Sequence, residues 1–326
     1  MISTHLTPKP VNEATTKPIN YMTTPPVCNY EGSDYQTSFW EQGGREYEDR
    51  AEAIALRRML PTSGKRMLEL GAGAGRNTPR YAGFEKIILL DYSTTQLAQA
   101  QQKLGRSDPQ GAVPKYIYVA ADIYRLPFRD QQFDAATMIR ALHHMADAPK
   151  ALSQIQNVLQ PGAIFILEFA NKLNLKSILR YWLGRQSWSP FTLEPVEFVK
   201  LNFDFHPQAI RNWLGDLGFS IEKILTVSHF RLGFLKRIIP VSLLAALDGF
   251  FQPTGAFLQF TPSVFMKARK AGSETSSTLT KVIDLFKCPD CGGENLQEKN
   301  DHLLCPHCSA RWAVNDGIYD FREKIK

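Results

Sequence analysis

Apolar residues recur along this chain with two alternating rhythms. Ala51, Ile54, Ala55, Met59 and Leu60 fall near one face at helical spacing, and Pro61 and Gly64 read as the end of that helix. Short unbroken apolar runs follow: RMLEL (66–70), KIILLD (86–91), YIYVAAD (116–122), FDAATMI (133–139) and AIFILEF (163–169). Runs of this length suit strands buried on both faces of a parallel sheet. Helix signals stand between them. STTQ (93–96) reads as a capping box opening a helix that Gly105 closes, and Asp147 with Pro149 opens another, ended by Pro161-Gly162. This alternation predicts an α/β fold with a doubly wound parallel sheet.

Beyond residue 170 the rhythm changes. Residues 171–206 are too long for a simple crossover and predict a cap inserted over the strand ends, with a second cap segment at 231–257. HPQAIRNWLGDLG (206–218) reads as a helix, FSIEKILTVSHF (219–230) as a strand, and LQFTPSVFMKARK (258–270) as a last strand in which Pro262 needs an edge or a bulge. The Thr- and Pro-rich residues 1–33 read as a disordered tail, 34–270 as the main domain, 271–281 as a small-polar linker and 282–326 as a separate small module.

Composition narrows the class. Hydrophobic content of 44% and charged content of 21% are ordinary for a globular chain, and no apolar run reaches the ~18 residues of a membrane span. The net charge is +6 and unevenly placed: residues 171–270 hold thirteen Lys/Arg against six Asp/Glu, whereas 281–326 hold seven against eight. A basic surplus attracts phosphates or acidic lipid, and it also suits a plainly solvated surface. Four of the five cysteines fall in the last 40 residues, and no disulfide framework is needed, which fits a reducing cytoplasm.

The densest chemistry lies in MLELGAGAGRNTPRY (67–81). Gly71, Gly73 and Gly75 sit directly after the first strand, at the sheet end where α/β folds bind ligands. A dinucleotide fingerprint wants a third glycine where Arg76 stands, and no Gly-Lys-Ser/Thr follows for a phosphate loop. Glu69 would repel a phosphate and welcome an ammonium. Asp91 ends the second strand, where an acid can accept both hydroxyls of a ribose, and Asp122 ends the third, within reach of an exocyclic adenine amine. Amine, ribose and adenine together describe S-adenosylmethionine better than a nicotinamide dinucleotide. Singly, the glycines could be only a turn, and Asp91 only a helix cap.

ELGAGAG, LLDYS, ADIYRLPF and FDAATMIRALHHM, in this order and spacing, resemble the class I S-adenosylmethionine-dependent methyltransferases, specifically the methyltransferase 11-type domain. The resemblance spans roughly 40–170 and implies a Rossmann-like sheet of seven strands, the last antiparallel. It also implies cofactor contacts at Glu69, Gly71, Ala72, Gly73, Asp91, Tyr92, Asp122, Ile123 and Arg140.

Methyl transfer from a sulfonium is an in-line displacement that needs alignment and exclusion of water, and a neutral hydroxyl or ammonium acceptor also needs a base. His143, His144 and Glu168 stand at the correct sheet end as candidates, with packing against the cofactor loop as the alternative for each. Tyr181, Trp182, Arg185 and Trp188 of the cap are candidate linings of an acceptor pocket. No Asp/Asn-Pro-Pro-Tyr/Phe follows the fourth strand, and no cysteine lies near it. The common exocyclic-amine and covalent C5-pyrimidine routes are therefore disfavoured.

Cys288, Cys291, Cys305 and Cys308 form C-x2-C-x13-C-x2-C, spacing that suits tetrahedral Zn²⁺ held by four thiolates. With all four positions filled by protein, the zinc would be structural. The module resembles the small zinc-ribbon proteins that activate tRNA, rRNA and release-factor methyltransferases. The leading expectation is a cytoplasmic methyltransferase acting on an unidentified small acceptor. The alternatives are an RNA or protein acceptor, with the ribbon as the docking surface for a partner, and a cofactor-binding scaffold without catalysis.

Overall fold

The computed structural model describes residues 25–33, 40, 44–105, 113–273 and 279–325. Helix α1 (Glu46–Met59) opens with three acids in its first turn, ends on two arginines, and buries Ala51, Ala55 and Met59. This charge order complements the helix dipole. Gly64, expected as the helix end, instead begins β1 (Gly64–Leu70). There follow β2 (Phe84–Asp91), α2 (Thr94–Leu104), β3 (Tyr116–Ala120), β4 (Phe133–Met138), α3 (Ala148–Val158) and β5 (Leu159–Ala170). Ser93 accepts from the Gln96 N–H as expected of a cap, but the Ser93 N–H donates to Asp91 Oδ1 rather than to the Gln96 side chain, so the return half of the capping box is replaced.

The stretch expected as a cap contains α4 (Leu175–Trp182) and the hairpin β6 (Val196–Val199) and β7 (Asn202–Asp204). Then come α5 (Pro207–Asp216), β8 (Phe219–Val227), α6 (Gly233–Ile238), α7 (Val241–Phe251) and β9 (Ser263–Lys270). Pro262 therefore precedes β9 and needs no bulge. The seven strands run in the order β3-β2-β1-β4-β5-β9-β8, and β9 is antiparallel to both its neighbours. The order reverses between β1 and β4, so the carboxyl ends of these strands flank the crevice where a ligand binds.

One core layer carries α1, α2 and α7 through Ala55, Leu97 and Leu244; the other carries α3 and α5 through Ile155 and Ile210. The second layer also includes Phe286, Leu303, Cys305, Trp312 and Phe321 from the C-terminal module. That module contains β10 (Gln297–Glu298), β11 (His302–Leu304), β12 (Arg311–Asn315) and β13 (Ile318–Ile325), and β13 pairs in parallel with β3. The expectation of a separate module needs correction: these strands extend the main sheet to eleven. The segment from 279 onward adds an antiparallel bridge, Phe128 to Phe286, with those two rings stacked 5.9 Å apart. An otherwise open β3 edge is thus paired, which removes a site of edge-to-edge association. Within the expected linker, 274–278 lie outside the described residues.

The tail expectation also needs correction. Residues 1–24 lie outside the described residues, but 25–33 pack onto the sheet end. Glu31 accepts from the Thr94 and Thr95 backbone N–H groups at the start of α2, 3.0 Å each, and from Arg322 of β13 at 2.9 Å. A polar, Pro-rich composition hid this, because the contacts are hydrogen bonds to partners distant in sequence.

Candidate functional site

The turn leaving β1 has Gly71, Gly73 and Gly75 at φ of 67°, 53° and 72°. This left-handed region is costly for residues with a Cβ. At Gly71 the space is closed as well, since a Cβ would stand 2.6 Å from that of Ala141. The Ala72 N–H donates to the Leu90 carbonyl at 3.0 Å, and the Gly73 N–H donates to Asp91 Oδ2 at 2.8 Å. Asp91 Oδ1 accepts from the Ser93 N–H at 2.9 Å. Burial raises the Asp91 pKa, with these donors opposing the rise. Each carboxylate oxygen keeps a second lone pair for a ligand hydroxyl.

Above this turn lies a cavity of about 780 Å³ including its open mouth. Gly71, Gly73, Asp91, Tyr92, Ile123 and Arg140 of the expected cofactor set line it, as does His144. The wall is completed by residues outside that set, including Val27, Cys28, Tyr30 and Met138. Three expected contacts stand off the wall. Glu69 is buried, accepts from Thr78 Oγ1 at 2.6 Å, and is pushed up to about 8 by burial. Ala72 packs into the core. Asp122 accepts from the Tyr124 N–H at 2.9 Å and caps the turn at 123–125.

Arg76, the residue that broke the dinucleotide fingerprint, is anchored to α1. It pairs with Glu52 at 2.8 Å and with Asp49, and its guanidinium lies 3.6 Å from the Trp40 ring centroid. Arg140 pairs with the other oxygen of Glu52. Burial alone would raise the Glu52 pKa, but the Arg140 and Arg76 cations outweigh it and hold the carboxyl below its usual range. An ionised Glu52 therefore ties the glycine turn to the loop after β4 from behind. Sequence reasoning missed Glu52 because its partners lie 24 and 88 residues away.

Of the three candidate bases, only His144 reaches the cavity. Its Nδ1 faces the Leu201 carbonyl at 3.1 Å and its Nε2 faces the Tyr30 hydroxyl at 3.0 Å. A carbonyl only accepts, so Nδ1 carries the proton and Nε2 accepts from Tyr30. His143 lies beside it, its ring tilted by 45° with centroids 4.0 Å apart, off the cavity wall. Glu168 is also off the wall, accepting from the Arg140 N–H at 2.8 Å and from Ser263 Oγ at 2.6 Å. It supports Arg140, whose backbone adopts φ 55°. Tyr181, Trp182, Arg185 and Trp188 do not line the cavity either; Trp182 is 70% exposed.

Burial lowers the pKa of both histidines; His144 and Arg140 add to this for His143, while the Leu201 carbonyl opposes it for His144. At these two sites the unfolded chain then binds more protons than the folded one below about pH 6.5, so their contribution to stability falls as pH drops through that value and is flat above it. The expected result is that His143→Gln/His144→Gln shows a smaller loss of denaturant midpoint between neutral and mildly acid pH than the parent. An equal loss would remove these histidines from the acid response.

Residues 68–167 match the family model for a methyltransferase domain. The chain is matched over just under a third of its length. It is 32% identical over 145 residues to an O-methyltransferase, cnsE, of Penicillium expansum, covering 42% of this chain and 51% of that protein. A 2-phytyl-1,4-naphtoquinone methyltransferase of Nostoc punctiforme is 34% identical over 126 residues, covering 37% and 54%. The matches thus span about half the length of these relatives. Among solved structures, an S-adenosylmethionine-dependent methyltransferase of Mesorhizobium loti is 23% identical, covering 69% of this chain and all of that one, with a TM-score of 0.49.

Outside the matched residues 68–167, the four C-terminal cysteines converge. Their Sγ atoms all lie within 4.8 Å of one another, with Cys288 to Cys308 at 3.7 Å and Cys291 to Cys305 at 3.6 Å. Thiolates about 2.3 Å from a central zinc lie about 3.8 Å apart along a tetrahedron's edge, so the cluster fits that ion. Each pair forms a tight knuckle: the Gly292 N–H donates to the Cys288 carbonyl and the Ser309 N–H to the Cys305 carbonyl.

Proposed function

We propose that this chain is an S-adenosylmethionine-dependent methyltransferase acting on a small, apolar acceptor, with a structural zinc held by Cys288, Cys291, Cys305 and Cys308. The observation that carries the reading is the cavity itself. Its floor combines the left-handed glycine turn with Asp91, and its walls are mostly apolar. The names of the relatives, quinone methyltransferases among them, support an apolar acceptor. Bound S-adenosylmethionine supplies an electrophilic methyl group on a sulfonium. Gly71 and Gly73 would bring backbone close to that ligand, Asp91 would accept from its ribose hydroxyls, and the apolar Ile123 and Met138 of the wall would help to exclude water. For a hydroxyl acceptor, His144 Nε2 is the base, and Tyr30 bridges it to the cavity. The acceptor's proton passes to Tyr30 as the Tyr30 proton passes to Nε2.

Against an RNA or protein acceptor recruited by the ribbon stands the use the ribbon already has. Its β13 and the Phe286, Trp312 and Phe321 side chains face the main sheet and core. Calorimetry with S-adenosylmethionine and its demethylated product tests the first step, and transfer of labelled methyl to fractionated lysate tests the acceptor class. Label in the macromolecular fraction would overturn the small-acceptor reading. Asp91→Ala is expected to weaken cofactor binding by about 10- to 100-fold, the value of hydrogen bonds to a charged group. Unchanged affinity would remove Asp91 from the site.

A further inference from the structure

Among the described residues, nineteen of the twenty exposed large apolar side chains lie between 175 and 260. This clustering is far from the scatter a monomer's surface tolerates. On α4, Leu175, Leu179 and Trp182 point outward at helical spacing while Ile178 is buried. On α7, Leu243, Leu247 and Phe250 form a second outward stripe, opposite the buried Leu244 and Ala245, and Phe250 is 76% exposed. A helix apolar on both faces expects a second apolar phase beside it. The chain then turns through 252–256 to Phe257, 88% exposed. The two regions adjoin, since the Leu175 N–H donates to the Phe260 carbonyl at 2.8 Å and Asn171 Nδ2 to the Gln259 and Thr261 carbonyls.

Charge selects the occupant. Residues 175–185 and 231–260 contain six Lys/Arg and one acid, Asp248, which is buried and accepts from the Tyr47 hydroxyl. Arg231 and Lys236 are held by Glu48. Lys176, Arg180, Arg185 and Arg237 have no ion-pair partner among the described residues. Apolar stripes rimmed by unpaired cations, with a tryptophan among them, match the chemistry of an anionic bilayer surface. No helix of the described residues is long and apolar enough to cross a membrane. We propose that α4, α6, α7 and residues 257–260 form one face that docks on an anionic lipid surface, lying in the interface plane.

The test is co-sedimentation of the full, zinc-loaded chain with vesicles of phosphatidylcholine alone and of phosphatidylcholine with phosphatidylglycerol. Binding is expected to be about tenfold stronger to the anionic vesicles and to weaken as salt is raised. Leu247→Ser/Phe250→Ser is expected to lower it a further ~10-fold or more, from lost apolar burial. Lys176→Glu/Arg180→Glu should abolish the preference for anionic lipid. All four positions are exposed, so circular dichroism and cofactor affinity should match the parent. Equal binding to both vesicles, or insensitivity to both variants, would overturn the proposal. So would a stable dimer in solution that Leu247→Ser/Phe250→Ser converts to monomer, which would assign the face to a second copy. Vesicle binding is read without turnover, so it stands or falls apart from the methyl-transfer reading.

Discussion

Cys305→Ser is expected to abolish the proposed zinc site, melt the C-terminal ribbon, and loosen the cavity above the glycine turn some distance away. Cys305 is fully buried, and a module this small has little core of its own. Metal binding in such modules supplies about 10–16 kcal/mol of apparent folding free energy. Melting would strip β13 from β3 and remove Phe286, Trp312 and Phe321 from the shared core. It would also free Arg322, which donates to the Tyr92 carbonyl at 3.1 Å and pairs with Glu31 at 2.9 Å. Tyr92 lines the cavity and Glu31 pins the 25–33 segment that supplies Tyr30. The expected results are one zinc per parent chain and none in the variant, a lost calorimetric transition, weaker cofactor binding, and aggregation through the uncovered β3 edge. A variant that lacks metal yet keeps the parent's unfolding profile and cofactor affinity would refute both the zinc assignment and the coupling.

Glu52→Gln is expected to cost about 3–5 kcal/mol of stability, the usual penalty for leaving a buried charge without its partner. Here two cations, Arg76 and Arg140, lose the same carboxylate, and Glu52 is fully buried. Glutamine preserves shape and removes only the charge. The change is read from the denaturant midpoint, and cofactor affinity should fall with it, because Arg140 lines the cavity and Arg76 follows the glycine turn directly. An unchanged midpoint would show that Asp49 and Trp40 suffice to hold Arg76.

Most of the α/β order was legible because buried parallel strands are written as unbroken apolar runs, and KIILLD or FDAATMI admits few other readings. The glycine turn and Asp91 were legible for a related reason: left-handed backbone and a strand-end carboxylate are local requirements with local signatures. The place of Glu168 off the cavity wall was not legible, because its position at a strand end was readable while its partners, the Arg140 N–H and Ser263, were not. Asp122 failed as a wall residue because a capping aspartate and a ligand-binding one look alike in sequence. Tyr30 and Glu52 were missed because their partners lie 114 and 88 residues away.

The sequence by itself determined the strand–helix alternation, the glycine turn and the cysteine quartet, each set by residues within one short window. Tertiary structure alone decided that His144 rather than His143 or Glu168 faces the cavity, that the ribbon extends the main sheet, and that nineteen large apolar side chains between 175 and 260 face outward. These outcomes depend on which surfaces meet, and pairing free energies between residues a hundred positions apart leave no periodicity in the chain that forms them.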